Sequence, residues 1–184
     1  MILQPASRED YRQIKELYLT AFPDDERAPF FLIRLRAMQG RAEMLTAKEG
    51  AEFIGFAYVV TDRDMVYLFY FAIDSDKRGS GNGSQVLKLL KERYAGKRFF
   101  LAREQLDEQA ENYEERVRRH QFYLKNGLSD LPNRIQEASV IYDIMGIGGS
   151  ISAAEYDRLI RRWSGWLLKK MIKMQILEDE AAKN

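Results

Sequence analysis

The chain has 184 residues, 46% of them apolar and 31% charged, and this predicts one soluble globular domain with a sizeable core. Its formal net charge of +1 argues against a general attraction to nucleic acid or to an anionic membrane. The absence of cysteine excludes disulfides, thiolate ligands and a cysteine nucleophile, and a single histidine excludes a histidine metal cluster, so we expect no metal site.

The first 61 residues predict three strands and two helices. The N-terminus lacks the basic and apolar regions of a signal peptide, and no apolar stretch approaches the roughly 20 residues of a membrane span, so we expect a cytoplasmic protein. Both helices lie between the first two strands, and Pro29 and Gly40 bound the second of them. The loop between the helices is acidic and reads as a solvated turn. The expected strands are 1–4, 44–47 and 53–61.

A glycine-rich turn follows the apolar run VYLFYFAI at residues 66–73, which is typical of a buried strand. The turn, KRGSGNGS at 77–84, precedes a helical pattern of apolar residues. Strand, glycine-rich turn and helix form an arrangement that holds phosphate, because the first amides of a helix have no partner within it and the helix dipole is positive there. Glycines allow an anion to approach the backbone, and Lys77 and Arg78 add positive charge.

Three known phosphate-binding patterns contain glycines at spacings close to those of this turn. The triphosphate loop is not matched, because no lysine follows the glycines. The dinucleotide fingerprint G-x-G-x-x-G fails at its third glycine, where Ser84 stands. The pattern [RQ]-x-x-G-x-[GA] is satisfied by Arg78, Gly81 and Gly83. A solvated glycine turn in front of a helix is the alternative interpretation.

The second half of the chain begins at Gly96, which ends the helix after the turn. Residues 99–102 predict a strand parallel to the strand at 66–73, reached by a helical crossover. Asn112 begins a further helix that ends near Gly127, and two final strands are expected around 134–137 and 140–145. The fold class is therefore mixed α/β, with an antiparallel meander before the parallel pair.

Two motifs resemble the GCN5-related N-acetyltransferase (GNAT) superfamily. The pattern at 78–83, after a strand that ends in Phe71-Ala72-Ile73, resembles its acetyl-CoA loop. The run FYLKNGL at 122–128 is similar to its F-Y-x-x-x-G-F signature, with Leu128 in place of phenylalanine. The resemblance covers about residues 1–147. It implies a mostly antiparallel central sheet, splayed between the fourth and fifth strands with helices on both faces, in a domain at 1–149.

The resemblance also implies the roles of individual residues. Loop amides hold the pyrophosphate of coenzyme A, backbone groups of Phe71 and Ile73 pair with the pantetheine arm, and one of those two amides faces the thioester oxygen. Tyr123 corresponds to the tyrosine that donates to the leaving thiolate. Because a phenol with a pKa of about 10 is a weaker acid than a thiol at about 8.5, hydrogen bonding is expected rather than full proton transfer. The implied cofactor contacts are Phe71, Ala72, Ile73, Lys77, Arg78, Gly79, Ser80, Gly81, Asn82, Gly83, Ser84, Asn112 and Tyr123.

The general base is less well defined by the sequence. An amine must lose a proton before it attacks a thioester, and Glu104, at the end of the parallel strand, is the best carboxylate candidate. Asp64 is a weaker candidate, and a surface charge is the alternative interpretation of both. His120 has basic neighbours on a predicted helix and is interpreted as a solvated residue on the helix face.

Residues 150–184 predict a basic amphipathic helix that a minimal GNAT domain does not need. A capping box at Ser152 and Glu155 begins the helix, and Gly165 is expected to interrupt it. We expect this extension to pack on the domain or on a partner subunit, as in a homodimer, rather than on a membrane. Its apolar positions are Tyr156, Leu159, Ile160, Trp163, Leu167, Met171 and Met174.

Two main functions follow from the resemblance. The first is an N-acetyltransferase that moves the acetyl group of acetyl-CoA directly to a primary amine in a ternary complex, because no cysteine and no serine in a nucleophile elbow is present. The second is a non-catalytic acyl-CoA sensor or interaction module. A dinucleotide-binding enzyme is a third alternative. The acceptor stays open between a small molecule, a peptide N-terminus and a protein lysine, although the acidic loop beside the implied acceptor site would suit a cationic amine.

Overall fold

The computed structural model describes residues 1–137, 140–169 and 174–177. The helices are α1 Asp10–Ala21, α2 Phe30–Met38, α3 Asn82–Arg93, α4 Tyr113–Lys125 and α5 Ala153–Lys169. The strands are β1 Ile2–Pro5, β2 Glu43–Glu49, β3 Glu52–Asp62, β4 Met65–Ile73, β5 Arg98–Glu104, β6 Ser129–Glu137, β7 Val140–Ile147 and β8 Met174–Leu177. None of the described helices contains a stretch that is long and apolar enough to cross a bilayer.

The first of two compact units comprises Met1–Val60 and Leu68–Ala95. Its strands follow the order β1, β2, β3, β4, and the pairings of β1 with β2 and of β2 with β3 are antiparallel. Helix α1 is present as predicted and buries Ile14, Leu17 and Tyr18. The first four predicted strands and their order in the sheet are therefore confirmed.

Helix α2 is present between Pro29 and Gly40 as predicted, and it buries few of its apolar side chains. Only Leu32 and Ile33 are buried, and the Ile33 carbonyl accepts a hydrogen bond from the Tyr58 hydroxyl at 3.0 Å. Phe31 is 72% exposed and Met38 is 70% exposed. The helix therefore docks through residues 32 and 33, while the apolar side chains at 31 and 38 stay exposed.

Tyrosine hydroxyls hold the loop between α1 and α2. The Tyr18 hydroxyl donates to the Ala28 carbonyl at 2.8 Å. The Tyr70 hydroxyl accepts from the Ala28 amide at 3.0 Å and donates to the Glu26 carbonyl at 3.2 Å. Since Tyr70 lies in β4, the loop is attached to the strand that the sequence assigns to the cofactor.

Strands β3 and β4 approach each other closely at Gly55. A Cβ atom at this position would overlap the carbonyl oxygen of Ala72 and lie 3.0 Å from the Cα atom of Ile73. Only glycine fits without moving the end of β4, where backbone groups are expected to face the cofactor.

Replacing Gly55 with alanine is expected to lower the free energy of unfolding by about 2–3 kcal/mol, because backbone rather than a flexible side chain must move. Urea unfolding at pH 7 measures the loss. Gly50→Ala is the matched control, since a Cβ there meets no atom within 4 Å and only the positive φ of 61° is strained. Equal losses in the two variants would contradict the close-approach explanation.

The second unit comprises Thr61–Tyr67 and the described part of Gly96–Asn184. In it Met65–Tyr67 of β4 pairs in parallel with Arg98–Phe100 of β5, and the pairing covers three residues of each strand. The strands then follow the order β5, β7, β6, β8, with antiparallel pairings throughout. A mostly antiparallel sheet with one short parallel pair confirms the predicted fold class and fits the splay between the fourth and fifth strands.

Helix α5 buries its apolar face within the second unit. Its buried side chains are Tyr156, Leu159, Ile160, Trp163 and Ser164. The Tyr156 ring lies 5.9 Å from the Tyr67 ring and 6.5 Å from the Phe100 ring, measured between centroids. The predicted break occurs at Gly165, whose φ of 71° and ψ of 175° are not helical.

The end of the predicted extension was wrong at Met174, which begins β8 instead of continuing the helix. Met171 lies outside the described residues. The domain division at 149 and 150, and the packing of the extension on a partner subunit, stay predictions.

Arg98 connects the start of β5 to α5 and to the turn before β4. Its guanidinium donates to Asp64 at 2.7 and 3.0 Å, to Glu155 at 2.6 and 3.1 Å, and to the Ser150 carbonyl at 2.8 Å. The predicted capping box is present, because the Ser152 amide donates to Glu155 at 3.0 Å and the Glu155 amide to the Ser152 hydroxyl at 3.4 Å. Hydrogen bonds from Arg98 and then from the Ser152 amide lower the pKa of Glu155 to about 2.

Replacing Glu155 with glutamine is expected to lower the free energy of unfolding by about 2 kcal/mol at pH 7. The pKa in the folded protein lies below the unfolded value of about 4.3, so the stabilisation is complete above about pH 5 and is lost as the pH falls toward 2. Urea unfolding at several pH values should therefore show the two proteins converging in acid. The exposed Glu114→Gln variant is the control, and a pH-independent difference would contradict this assignment.

Candidate active site

The glycine-rich turn joins the end of β4 to the start of α3. Asp74 begins a 3-10 turn at Ser75–Lys77, and its carboxylate accepts from the Asp76 amide at 3.1 Å. Gly79 and Gly81 follow in the left-handed region, with φ of 81° and 85°. Gly81 is the residue before α3, so the left-handed turn brings the chain directly into the first turn of the helix.

Five consecutive amides of this turn point to no protein acceptor. Within the described residues, the backbone N–H groups from Gly79 to Gly83 have no hydrogen-bond partner, and the Gln85 amide in α3 donates to the Gly81 carbonyl at 3.0 Å. These donors lie at the positive end of the helix dipole. Such a row of amides fits a diphosphate, because each phosphate oxygen accepts hydrogen bonds without a side chain in between.

Polar side chains shape the turn from inside. The Asn82 amide group donates to the Lys77 carbonyl and to the Ser80 hydroxyl, both at 2.9 Å, and the Ser80 hydroxyl donates to the same carbonyl at 3.1 Å. Ser84 lies in the first turn of α3. The turn is therefore held by its own residues before any ligand is present.

The two basic residues of the turn differ in their surroundings. Arg78 donates from Nε to the Ile73 carbonyl at 3.1 Å and is otherwise exposed, without another partner in the described parts of the chain. The Lys77 ammonium forms an ion pair with Glu52. Lys77 was expected to be a mobile charge at the rim, and its charge is instead directed to β3.

The end of β4 carries the three predicted backbone contacts. Phe71 is half-buried, and Ala72 and Ile73 are buried. The amide of the next residue, Asp74, donates to the Ile54 carbonyl at 3.0 Å, so pairing with β3 extends to the end of the strand. Roles for Phe71, Ala72 and Ile73 in cofactor binding stay predictions.

Tyr123 lies in the third turn of α4 and is half-buried. Its ring centroid is 5.2 Å from that of Phe122, and its hydroxyl has no hydrogen-bond partner among the residues that the structure describes. Burial raises the pKa of Tyr123 to about 12, while the Arg119 guanidinium acts in the opposite direction. The phenol therefore keeps its proton at neutral pH and is available as a donor.

Glu104 is surrounded by donors from α4. It ends β5, is 13% exposed, and forms ion pairs with Arg116 at 2.8 Å and with Arg119. The Asn112 side chain donates from Nδ2 to the Glu104 Oε1 at 3.3 Å, and its Oδ1 accepts from the Arg116 Nε at 2.7 Å. Both carboxylate oxygens are thus occupied, an arrangement that favours a positioning role over that of a proton acceptor.

Sequence reasoning missed the two arginines of this cluster. A spacing signal for them was present, since Asn112, Arg116, Arg119 and Tyr123 recur at intervals of four, three and four residues and so share one helix face. What the spacing alone does not show is that Glu104 lies opposite this face, because that contact joins two different elements.

The remaining candidates for a base are also engaged. Asp64 forms an ion pair with Arg98, which favours the interpretation of this residue as a surface charge over that of a base. His120 is only 16% exposed, and its Nε2 lies 2.9 Å from the Asp130 carboxylate, which also pairs with Arg103. The interpretation of His120 as a solvated residue was therefore wrong, because β6 brings Asp130 against α4. In the described ranges, no group of three or more acidic or histidine side chains is arranged to hold a metal ion.

Comparisons with known proteins agree with this architecture. Among solved structures, the chain is similar to one named as a GNAT-family acetyltransferase from Bacteroides thetaiotaomicron, with 22% identity, a TM-score of 0.67, and coverage of 88% of this chain and 94% of that one. An aminoglycoside 6'-N-acetyltransferase complexed with coenzyme A matches at 18% identity and a TM-score of 0.59, over 83% and 100% of the chains. The ribosomal-protein-S18-alanine N-acetyltransferase from Escherichia coli matches at 16% and 0.60, over 82% and 95%.

No curated protein matches the chain in sequence. The model of the acetyltransferase (GNAT) family matches residues 11–127, which is more than half of the chain and includes the glycine-rich turn, Glu104 and Tyr123. The chain therefore belongs to the GNAT acetyltransferase family.

Proposed function

We propose that this protein is an N-acetyltransferase that moves an acetyl group from acetyl-CoA to a primary amine by direct attack in a ternary complex. The observation that carries the proposal is the row of amides from Gly79 to Gly83 at the start of α3, which have no partner among the residues that the structure describes. Because the chain belongs to the GNAT family, coenzyme A is the expected ligand whose diphosphate binds at this position. The absence of cysteine supports direct transfer over a covalent acyl-enzyme route.

Each part of the proposed site has one role. The amides of residues 79–83, with Arg78, hold the pyrophosphate, and backbone groups of Phe71 and Ile73 align the pantetheine arm and face the thioester oxygen. Acetyl-CoA supplies the activated acyl group. The amine nitrogen attacks the carbonyl carbon, the carbon–sulfur bond breaks, and Tyr123 donates a hydrogen bond to the departing sulfur.

The amine has to be neutral when it attacks. A primary amine has a pKa of about 10.4, so a base or the solvent must remove its proton. Glu104 was the predicted base, but its two oxygens accept from Arg116 and Arg119. We therefore propose that the proton leaves to solvent, and that Glu104 serves the site in another way.

The proposal gives the acceptor as a primary amine and does not name a particular amine. Of the similar structures, one is named as an aminoglycoside acetyltransferase and another as an acetyltransferase for an alanine of a ribosomal protein. Because their sequence identities to this chain are below 25%, they support the fold and do not identify the acceptor. Cytoplasmic location and a homodimer through the C-terminal extension likewise stay proposals.

A two-stage experiment tests the function. Thermal unfolding with acetyl-CoA at millimolar concentration should raise the melting temperature, because a ligand of the folded state stabilises it by mass action. Release of free CoA is then measured with a panel of diamines, aminoglycosides, peptides with free N-termini and lysine peptides. Acceptor-dependent release supports an enzyme.

A non-catalytic acyl-CoA sensor is the second candidate, and the observation in its favour is that Glu104, Asp64 and His120 are all engaged by other side chains. A sensor would show the thermal shift without acceptor-dependent release. If acetyl-CoA gives no shift and no turnover, both candidates fail.

A further inference from the structure

The ion-pair cluster at the start of α4 contains two arginines in different environments. Arg116 is 19% exposed and uses three of its nitrogens, on the Asn112 side chain at 2.7 Å, the Gln105 carbonyl at 2.9 Å and Glu104 at 2.8 Å. This set of contacts attaches α4 to the end of β5 and accounts for Arg116 as a structural residue.

Arg119 does not fit the same explanation. It is 42% exposed, and Glu104 is its sole partner in the described portion of the second unit. A half-exposed arginine attached at one end leaves most of its donors and its charge directed elsewhere. The Glu104 carboxylate therefore fixes the position of the Arg119 guanidinium, whose remaining N–H groups and positive charge can still act on other groups.

The neighbour of Arg119 on the helix face is Tyr123, four residues later. Side chains at this spacing meet on the surface of a helix. The guanidinium charge acts on the phenol, since it lowers the pKa of Tyr123 against the larger effect of burial. The phenol hydroxyl itself has no acceptor in the described residues, so its donor stays available.

We propose that Arg119 is a positioning residue of acetyl transfer: held by Glu104, it keeps a positive charge beside the Tyr123 phenol and strengthens the hydrogen bond that Tyr123 donates to the leaving sulfur. The inference rests on the proposed function, and it assigns Glu104 as the anchor of Arg119. As the carbon–sulfur bond breaks, its electron pair goes to sulfur. The phenol proton stays on oxygen. The ammonium group loses one proton to solvent before the attack, and the nitrogen loses a second proton to solvent after the carbon–nitrogen bond has formed.

The chemistry explains why such a residue is useful. A buried phenol is a weaker acid than the thiol whose thiolate it must stabilise, and burial in Tyr123 widens this gap. A fixed cation next to the phenol polarises the O–H bond and also attracts the developing negative charge on sulfur. Neither effect requires the cation to touch the sulfur atom.

A double-mutant cycle tests the inference. Arg119→Met is expected to lower kcat about tenfold with acetyl-CoA and the best amine of the panel, while the KM for acetyl-CoA stays unchanged. Arg119→Lys, which keeps a charge near the same place, should recover most of the activity. In a Tyr123→Phe background, Arg119→Met should have no further effect, because the hydrogen bond that it strengthens is already absent.

Arg118→Met is the matched control, since Arg118 is exposed on the same helix, carries the same charge and has no partner in the described residues. Its kcat should equal that of the wild type. Glu104→Gln should lower kcat less than tenfold, whereas loss of a general base costs on the order of 10²–10⁴. Melting temperatures of all variants separate kinetic effects from loss of folded protein.

Three outcomes would overturn the inference: a wild-type kcat in Arg119→Met, the same loss of activity in the Tyr123→Phe background, or a base-sized loss in Glu104→Gln. If Arg119→Met does not fold, Arg119→Gln and Arg119→Lys complete the same cycle. A wild-type protein without turnover would overturn the proposed function instead, and the two failures are therefore distinguishable.

Discussion

Replacing Gly81 with glutamate is expected to abolish the thermal stabilisation that acetyl-CoA gives to the wild-type protein. Gly81 stands in the middle of the unpartnered amides, with φ of 85°. A carboxylate there repels the pyrophosphate and its stem covers neighbouring amides. At 100 times its dissociation constant a ligand adds about 2.7 kcal/mol, which corresponds to about 5–10 °C for a chain of this length. Differential scanning calorimetry with and without acetyl-CoA measures this shift.

The control for this variant is Gly81→Asn. Asparagine tolerates the left-handed conformation and carries no charge, and an added Cβ at this position meets no atom within 4 Å. Gly81→Asn should therefore fold and keep most of the acetyl-CoA shift, which separates backbone strain from charge. A folded Gly81→Glu protein with a full shift would show that the diphosphate binds elsewhere.

Replacing Tyr123 with phenylalanine is expected to lower kcat on the order of 10²-fold with little change in the KM for acetyl-CoA. The substitution removes only the hydroxyl, which in the proposal acts on sulfur late in the reaction and not on the bound ground state. Because this hydroxyl has no hydrogen bond within the described residues, the melting temperature should not fall. Steady-state kinetics and thermal unfolding on one preparation test both statements.

The matched control is Tyr113→Phe, which removes a hydroxyl from the first residue of the same helix. It should leave kcat unchanged. An unchanged kcat in Tyr123→Phe would mean that the tyrosine serves only to pack its ring in the protein, and the thiolate would then require a different donor.

The parts of the fold that were predicted correctly depend on short segments of sequence. The turn from Arg78 to Gly83 was recognised because its glycines must adopt a local conformation, and the left-handed φ values are found at Gly79 and Gly81. Helix α1 follows from helical periodicity, which indicates burial on one face, and strands β3 to β5 follow from short apolar runs typical of buried strands. The break at Gly165 was predicted for the same local reason.

The parts that were missed depend on contacts between distant segments. The apolar residues of α2 do not show which side of the helix is buried. That side includes Ile33, whose carbonyl accepts a hydrogen bond from Tyr58 in β3. Met174 continues a helical spacing, yet it pairs with β6 as a strand. Periodicity cannot separate these cases, since the choice is made by a pairing partner elsewhere in the chain.

The residues of the candidate site likewise fall into those that a local motif predicts and those that depend on contacts between distant segments. Motifs identified the loop and Tyr123, whose function in the family is tied to a local pattern. The ion pairs of Glu104 with Arg116 and Arg119 join the end of β5 to α4, and the contact of His120 with Asp130 joins α4 to β6. Which carboxylate is engaged by a cation is therefore a tertiary property, and this is why the predicted base was the least secure assignment.

The hydroxyls of Tyr18 and Tyr70 arrange the loop around Glu26 and Ala28 before a ligand arrives. The conformational entropy of this segment is lost on folding, so an acceptor that contacts it loses little affinity to ordering. A loop that is already ordered does not change its conformation to fit a different amine. If this loop borders the acceptor, as the family resemblance implies, the proposed transfer should be selective in the KM for the amine and show no lag from loop closure.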